Sequence, residues 1–342
     1  MPGSKASPAF HLIIMDYEWN PRFGLRVFSS YSWLSGMPAA KTSMTRRLFL
    51  QSLAVPVIVR SQPHVVEHLE VGASRLDVSF SGTEADLGHQ ELLHWIQRSA
   101  NGVAKYYGSF PVPHASITVL VREDRQGVSG GRTWGNGGAR TRIAIGQHTT
   151  AAQLDNDWVM THEFAHYGFP DLPERNHWME EGLATYVEPI ARVAAGTQTA
   201  SRAWFEMMRD MPQGLPRPGD EGLNKTNTWG RTYWGGAIFC LMADIVIRRE
   251  TANRRGLRDA LRGIQAAGGN IEVEWPIERA FEIGDRAVGG RPLMSLYERM
   301  AEKPMNVDLQ ALWKQLGVEV GPGGAKFDNA APLAAIRRAM LS

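Results

Sequence analysis

The chain has 342 residues, 43% of them apolar, with 37 Lys and Arg against 35 Asp and Glu. Such a length can bury a substantial core, as one large or two modest domains. The net charge of +2 gives no basis for nucleic acid or an anionic membrane as partner. The single cysteine, Cys240, excludes an internal disulfide and any Cys-based zinc cluster.

Residues 1–43 show no clean periodicity and read as an upstream extension that need not fold. In the next segment, 44–62, Arg46 and Arg47 precede an apolar run from Leu48 to Val59, which has signal-peptide length and is too short for a stable membrane span. The paired arginines followed by Leu48, Phe49 and Leu50 resemble a twin-arginine export signal. The expectation is a start at Met44 and an extracytoplasmic location, periplasmic or secreted.

Residues 63–146 read as a β-rich lobe with one helix. The stretch 64–82 mixes short apolar runs with β-branched residues and predicts one or two strands. Leu92, Trp95, Ile96, Val103 and Tyr106 recur at helical spacing within 87–108. Residues 115–121 predict a strand, 127–138 a glycine-rich loop, and 139–146 an alternating strand. From about residue 149 the pattern turns helical and stays so to the end, giving a helical lobe over 147–342. Cys240 falls in an apolar helix as a small core residue, and Leu309, Leu312, Trp313 and Leu316 mark a late helix. Most of the eleven tryptophans read as core. The fold class is α+β.

One stretch carries chemistry. Thr150 and Gln153 form a capping box at a helix start near 151, and Gly168 with Pro170 supplies a stop. Within that helix the motif His-Glu-Phe-Ala-His places His162 and His166 four apart, projecting from one face toward a shared ion. Glu163 is rotated by about 100° from His162, beside the ion and not on it, where a water would sit. Zinc suits such nitrogen and oxygen donors, with one position left open. A third protein ligand is needed, and the following segment offers His177, Glu180, Glu181 and Glu188. Glu181 is favoured because Gly182 beside it permits close helix approach; Glu180 and His177 remain alternatives. Thr185 and Glu188 follow at helical intervals as candidate partners for the histidines, and Asp244 interrupts an apolar helix, either buried and paired or facing water.

The two segments, His-Glu-Phe-Ala-His and Trp-Met-Glu-Glu-Gly-Leu-Ala-Thr-Tyr, resemble the gluzincin metallopeptidases, nearest the glycyl aminopeptidase family and more distantly the aminopeptidase N type. The spacer between them is shorter than in aminopeptidase N relatives. The resemblance implies a thermolysin-like zincin catalytic unit. It implies Zn(2+) held by His162, His166 and Glu181, with Glu163 as general base. It also implies an oxyanion-supporting tyrosine, which falls on Tyr233, although Gly235 stands where the family often has lysine. The implied activity is zinc-dependent peptidase action on a peptide or protein substrate. The glycine-rich stretch could form a substrate rim by β-addition, with Trp134 and Asn136 as candidate substrate contacts; it carries no acidic residue to hold a free amino terminus. Two rivals stand beside this reading: a non-catalytic metal-containing binding protein, and a zinc hydrolase of non-peptide amides.

Overall fold

Alternation of apolar and polar residues builds the sheet that spans Val66 to Gly146. The structure, a computed structural model, describes residues 66–342. The upstream extension and the twin-arginine-like segment lie outside the described residues. Strands β1 (Val66–Val71) and β2 (Ser74–Gly82) form an antiparallel pair. Helix α1 (His89–Tyr107) then crosses to β3 (His114–Arg122), which is parallel to β2. Strands β4 (Val128–Trp134) and β5 (Ala139–Gly146) complete a mixed five-stranded sheet of order β1-β2-β3-β5-β4, in which β4 is an antiparallel edge. Leu76, Val78, Ile117, Val119, Ile143 and Ile145 point to one face and are buried with Leu92, Trp95 and Ile96 of α1.

The glycine-rich segment expected as a loop is therefore largely strand. Gly130 and Gly131 carry no side chains, so the period of two is invisible there. The ladder to β5 uses backbone groups and does not need side chains.

The helical half runs through α2 (Ala151–Asp155), α3 (Val159–Ala165), α4 (His177–Ala195) and α5 (Ala200–Asp210). A π-helical turn, Gly230–Gly235, leads into α6 (Gly236–Glu250). Then follow α7 (Leu257–Ala266), α8 (Ile277–Val288), α9 (Pro292–Met300) and α10 (Leu309–Leu316). The expectation of helix to the end fails at β6 (Val318–Gly321) and β7 (Gly324–Phe327), a hairpin before α11 (Ala334–Met340). Val318 and Val320 alternate ahead of a Gly-Pro-Gly-Gly turn, the signal for a hairpin. One hydrophobic core runs through the sheet and the helices.

The helix expected from about 151 to the stop at Gly168 is two helices and a closing 3-10 turn, His166–Gly168. Thr150 and Gln153 do cap the first. The second begins at Val159 and is capped from Asp157, whose carboxylate accepts the Val159 and Met160 amides at 3.0 and 3.1 Å. Aspartate gains more as an N-cap than as a mid-helix residue, so the chain breaks there. Trp95 Nε1 donates to the same carboxylate at 3.1 Å and ties α3 to α1.

Gly182 does permit close helix approach, but the neighbour is α6. A Cβ at Gly182 would stand 2.3 Å from Gly236 Cα, backbone against backbone. Gly182→Ala is expected to lower stability by about 1–3 kcal/mol through overpacking, read from the denaturant midpoint. The cysteine of α6, Cys240, is buried in the core, where burial pushes its thiol pKa up.

Candidate metal centre

Helix α3 presents His162, and the 3-10 turn that continues it, His166–Gly168, presents His166 one turn further on, with ring centroids 5.0 Å apart and planes at 83°. Helix α4 brings Glu181 to them: Oε2 lies 3.2 Å from His162 Nε2 and 3.7 Å from His166 Nε2. One donor atom from each of the three falls within 4.8 Å of the others, which makes this a candidate His-His-Glu metal site. Atoms bound tetrahedrally to zinc at about 2.0–2.2 Å are themselves about 3.3–3.6 Å apart, so the donor set fits that ion with small adjustment.

The adjacent acid goes elsewhere. Glu180 accepts the Leu172 amide at 3.2 Å and bonds His177 Nδ1 at 3.1 Å. His177 Nε2 stands 3.4 Å from Glu181 Oε1, the oxygen turned away from His162 and His166. The Glu180 hydrogen bond raises the His177 pKa to about 9, so a cation backs Glu181 at neutral pH. The structure thus places Glu181, and neither alternative, against the two imidazoles.

Electrostatics separate the roles. Burial drives the His166 pKa down to about 4, leaving a neutral imidazole with a lone pair at pH 7. Burial also opposes charge on His162, but the Glu181 hydrogen bond and carboxylate outweigh it and raise that pKa. Burial would raise Glu181 too, yet the His166 and His162 rings hold it down at about 2.

Glu163 is 7% exposed and lies under the edge strand. A Cβ at Gly131 would sit 2.5 Å from Glu163 Cγ, so only glycine allows β4 to pass over this carboxylate. Thr133 Oγ1 donates to Glu163 Oε2 at 2.7 Å. A threonine has one hydroxyl proton, so the contact of Thr133 with Thr141 Oγ1 at 2.8 Å is donated by Thr141. The Thr141 contact with Tyr167 at 2.7 Å is then donated by Tyr167. This one-way chain ends on the Glu163 carboxylate. Burial lifts the Glu163 pKa to about 7, against the lowering by His162 and Thr133. Thr133→Val is therefore expected to raise that pKa further, read from a pH titration of the Glu163 carboxyl band by infrared difference spectroscopy against Glu163→Gln.

Tyr233, in the π-helical turn, stacks near the His162 ring at 6.2 Å and 19°. Trp229 stacks on Tyr233 at 5.6 Å, and Trp158 meets His162 edge-on at 5.6 Å. These two tryptophans are 43% and 51% exposed, so they border the centre from the solvent side and are not core. Trp134 and Asn136 are not brought to the cluster. Trp134 lies on the β4 face opposite Thr133, with Arg140 over its ring at 5.5 Å, and Asn136 is exposed in the following turn. Glu188 is largely buried and bonds Arg192 at 2.9 Å; burial lifts its pKa to about 7. Thr185 is half-buried on α4.

Thr133, Thr141, Tyr167 and Asp157 were not singled out from sequence. Only strand register aligns the first two, and Asp157 alone carried a local signal, as an N-cap residue before an apolar run.

With this geometry in place, comparison with solved structures identifies the architecture. An aminopeptidase N family protein from Idiomarina loihiensis superposes with a TM-score of 0.59 at 12% identity, covering 76% of this chain and 50% of that one. The fold is shared with that protein. Two further matches are more remote. An M1 zinc metallopeptidase from Deinococcus radiodurans gives a TM-score of 0.42 at 14% identity, over 70% of this chain and 51% of that one. Legionella pneumophila aminopeptidase A gives 0.45 at 14%, over 71% and 28%. The chain thus spans about half, or less, of the structures it matches. No protein-family model and no curated protein sequence matches it. The likeness is one of fold: a mixed five-stranded sheet followed by a helical lobe.

Proposed function

We propose that the chain is a zinc-dependent peptidase of gluzincin type, hydrolysing peptide bonds with Glu163 as general base. The observation that carries the reading is the meeting of His162, His166 and Glu181 within 4.8 Å, with Glu163 of α3 held by Thr133 of the neighbouring edge strand. Zinc bound by those three would supply an acidified water and polarise the scissile carbonyl. Glu163 accepts the water proton at its carboxylate and delivers it to the leaving amine; Thr133 fixes Oε2 throughout. The Tyr233 hydroxyl donates to the oxyanion that develops on the scissile carbonyl. His177 steadies Glu181 from behind. An extended substrate adds to the edge of β4, which pairs with no further strand among the described residues and whose glycines leave its backbone open. The finer likeness to the glycyl aminopeptidase family belongs to the same reading. So does an extracytoplasmic location, supported by Arg46, Arg47 and the apolar run after them.

A non-catalytic metal protein gives no reason for a buried, hydrogen-bonded Glu163 beside the donor set. The deciding experiment is a peptide-library digest with metal analysis of the purified protein. Expected is hydrolysis abolished by chelation and restored by zinc. Bound zinc without cleavage of any peptide would overturn the peptidase reading, and cleavage confined to simple non-peptide amides would reassign the substrate.

A further inference from the structure

The same edge strand that covers Glu163 carries a different chemistry on its other side. The β4–β5 register sets Arg132 directly opposite Arg142 and Trp134 opposite Arg140. All three arginines are exposed, and by alternation they occupy the face away from Thr133 and Thr141. Like charges directly opposite in a ladder are destabilising. Among the described residues none of the three has an ion-pair partner. Arg140 leans on Trp134 and donates to the Asn136 carbonyl. The β3 residues beside Arg140 and Arg142 are Ser116 and Thr118, hydroxyls without charge. Asp77, farther across the face, is already held by Arg75, His68 and His114.

We propose that this arginine face selects acidic peptide segments as substrate, an inference that rests on the peptidase reading. A peptide strand added to the β4 edge alternates its side chains. Inward ones lie beside Gly131 and Thr133, over the candidate centre. Outward ones lie beside Gly130, Arg132 and Trp134. Strands are spaced about 4.8 Å apart, so an outward carboxylate falls within reach of Arg132, and of Arg142 one strand further in. A carboxylate there relieves the Arg132–Arg142 repulsion. A polynucleotide offers charge but cannot complete the β4 backbone ladder, and a chain of net charge +2 supplies no broad basic surface for it.

The probes are two fluorescent extended peptides, identical except for glutamate or glutamine at the alternate, outward positions. Binding is read by anisotropy on the zinc-supplemented full chain carrying Glu163→Gln, and cleavage on the unsubstituted chain. The glutamate peptide should bind about tenfold more tightly at low salt, with the preference narrowing as salt rises. The double substitution Arg132→Ser with Arg142→Ser should erase the preference and leave cleavage of the glutamine peptide unchanged. Equal affinities, or a preference that survives the double substitution, overturn the inference. So does tighter arginine-dependent binding of single-stranded DNA or anionic vesicles. Arginine-dependent preference without cleavage would sink the peptidase reading alone; cleavage without preference would sink this inference alone.

Discussion

Glu163→Gln should lower peptide turnover by about a hundredfold to ten-thousandfold while leaving zinc content unchanged. Glutamine keeps the size of the side chain, so it still passes beneath Gly131, and its amide oxygen still accepts from Thr133 Oγ1. What it loses is the capacity to take a proton. The donor set of His162, His166 and Glu181 is left intact. The contrast variant is Glu181→Ala, which removes one of three donors and should lose both metal and activity. Metal analysis and single-turnover kinetics on the two proteins separate the roles. A Glu163→Gln enzyme with ordinary turnover would exclude Glu163 as the base, whatever its metal content.

The second large effect lies away from the chemistry. Asp244→Ala should lower stability by about 3–5 kcal/mol, because it breaks a buried charged network from one side. The Asp244 carboxylate accepts from Tyr186 OH at 2.7 Å, Arg248 Nε at 2.8 Å and the Leu257 amide at 2.9 Å. It joins α4, α6 and the start of α7, and removing it strands a buried guanidinium and a buried hydroxyl. Urea unfolding gives the loss directly. The folded fraction should keep its turnover, since no group of this network touches Glu163 or the histidines. A change below about 1 kcal/mol would mean that water replaces the carboxylate, and the network would not hold these helices together.

The sheet was legible wherever side chains alternate, as in β2, β3 and β5, and failed where glycine erased the alternation in β4. That failure concealed the most consequential strand. Gly131 and Thr133 govern how Glu163 is held, yet nothing in their local sequence marks them until β4 is paired with β5. The break between α2 and α3 was missed for a different reason. Helical periodicity continues through Asp157, and only the capping bonds to Val159 and Met160 show that the chain restarts there.

By itself the sequence determined the spacing of His162, Glu163 and His166, because a helix turns these residues by a fixed angle per residue whatever surrounds it. It also supplied the adjacent acids Glu180 and Glu181, without deciding between them. The tertiary structure decided which acid meets the imidazoles, since that depends on how α4 is seated, and α4 is seated by the glycine contact between Gly182 and Gly236. It decided too that Trp134 faces away from the cluster while Trp158 and Trp229 border it. Exposure and facing belong to packing between elements distant in the chain, and local residue order carries no record of that.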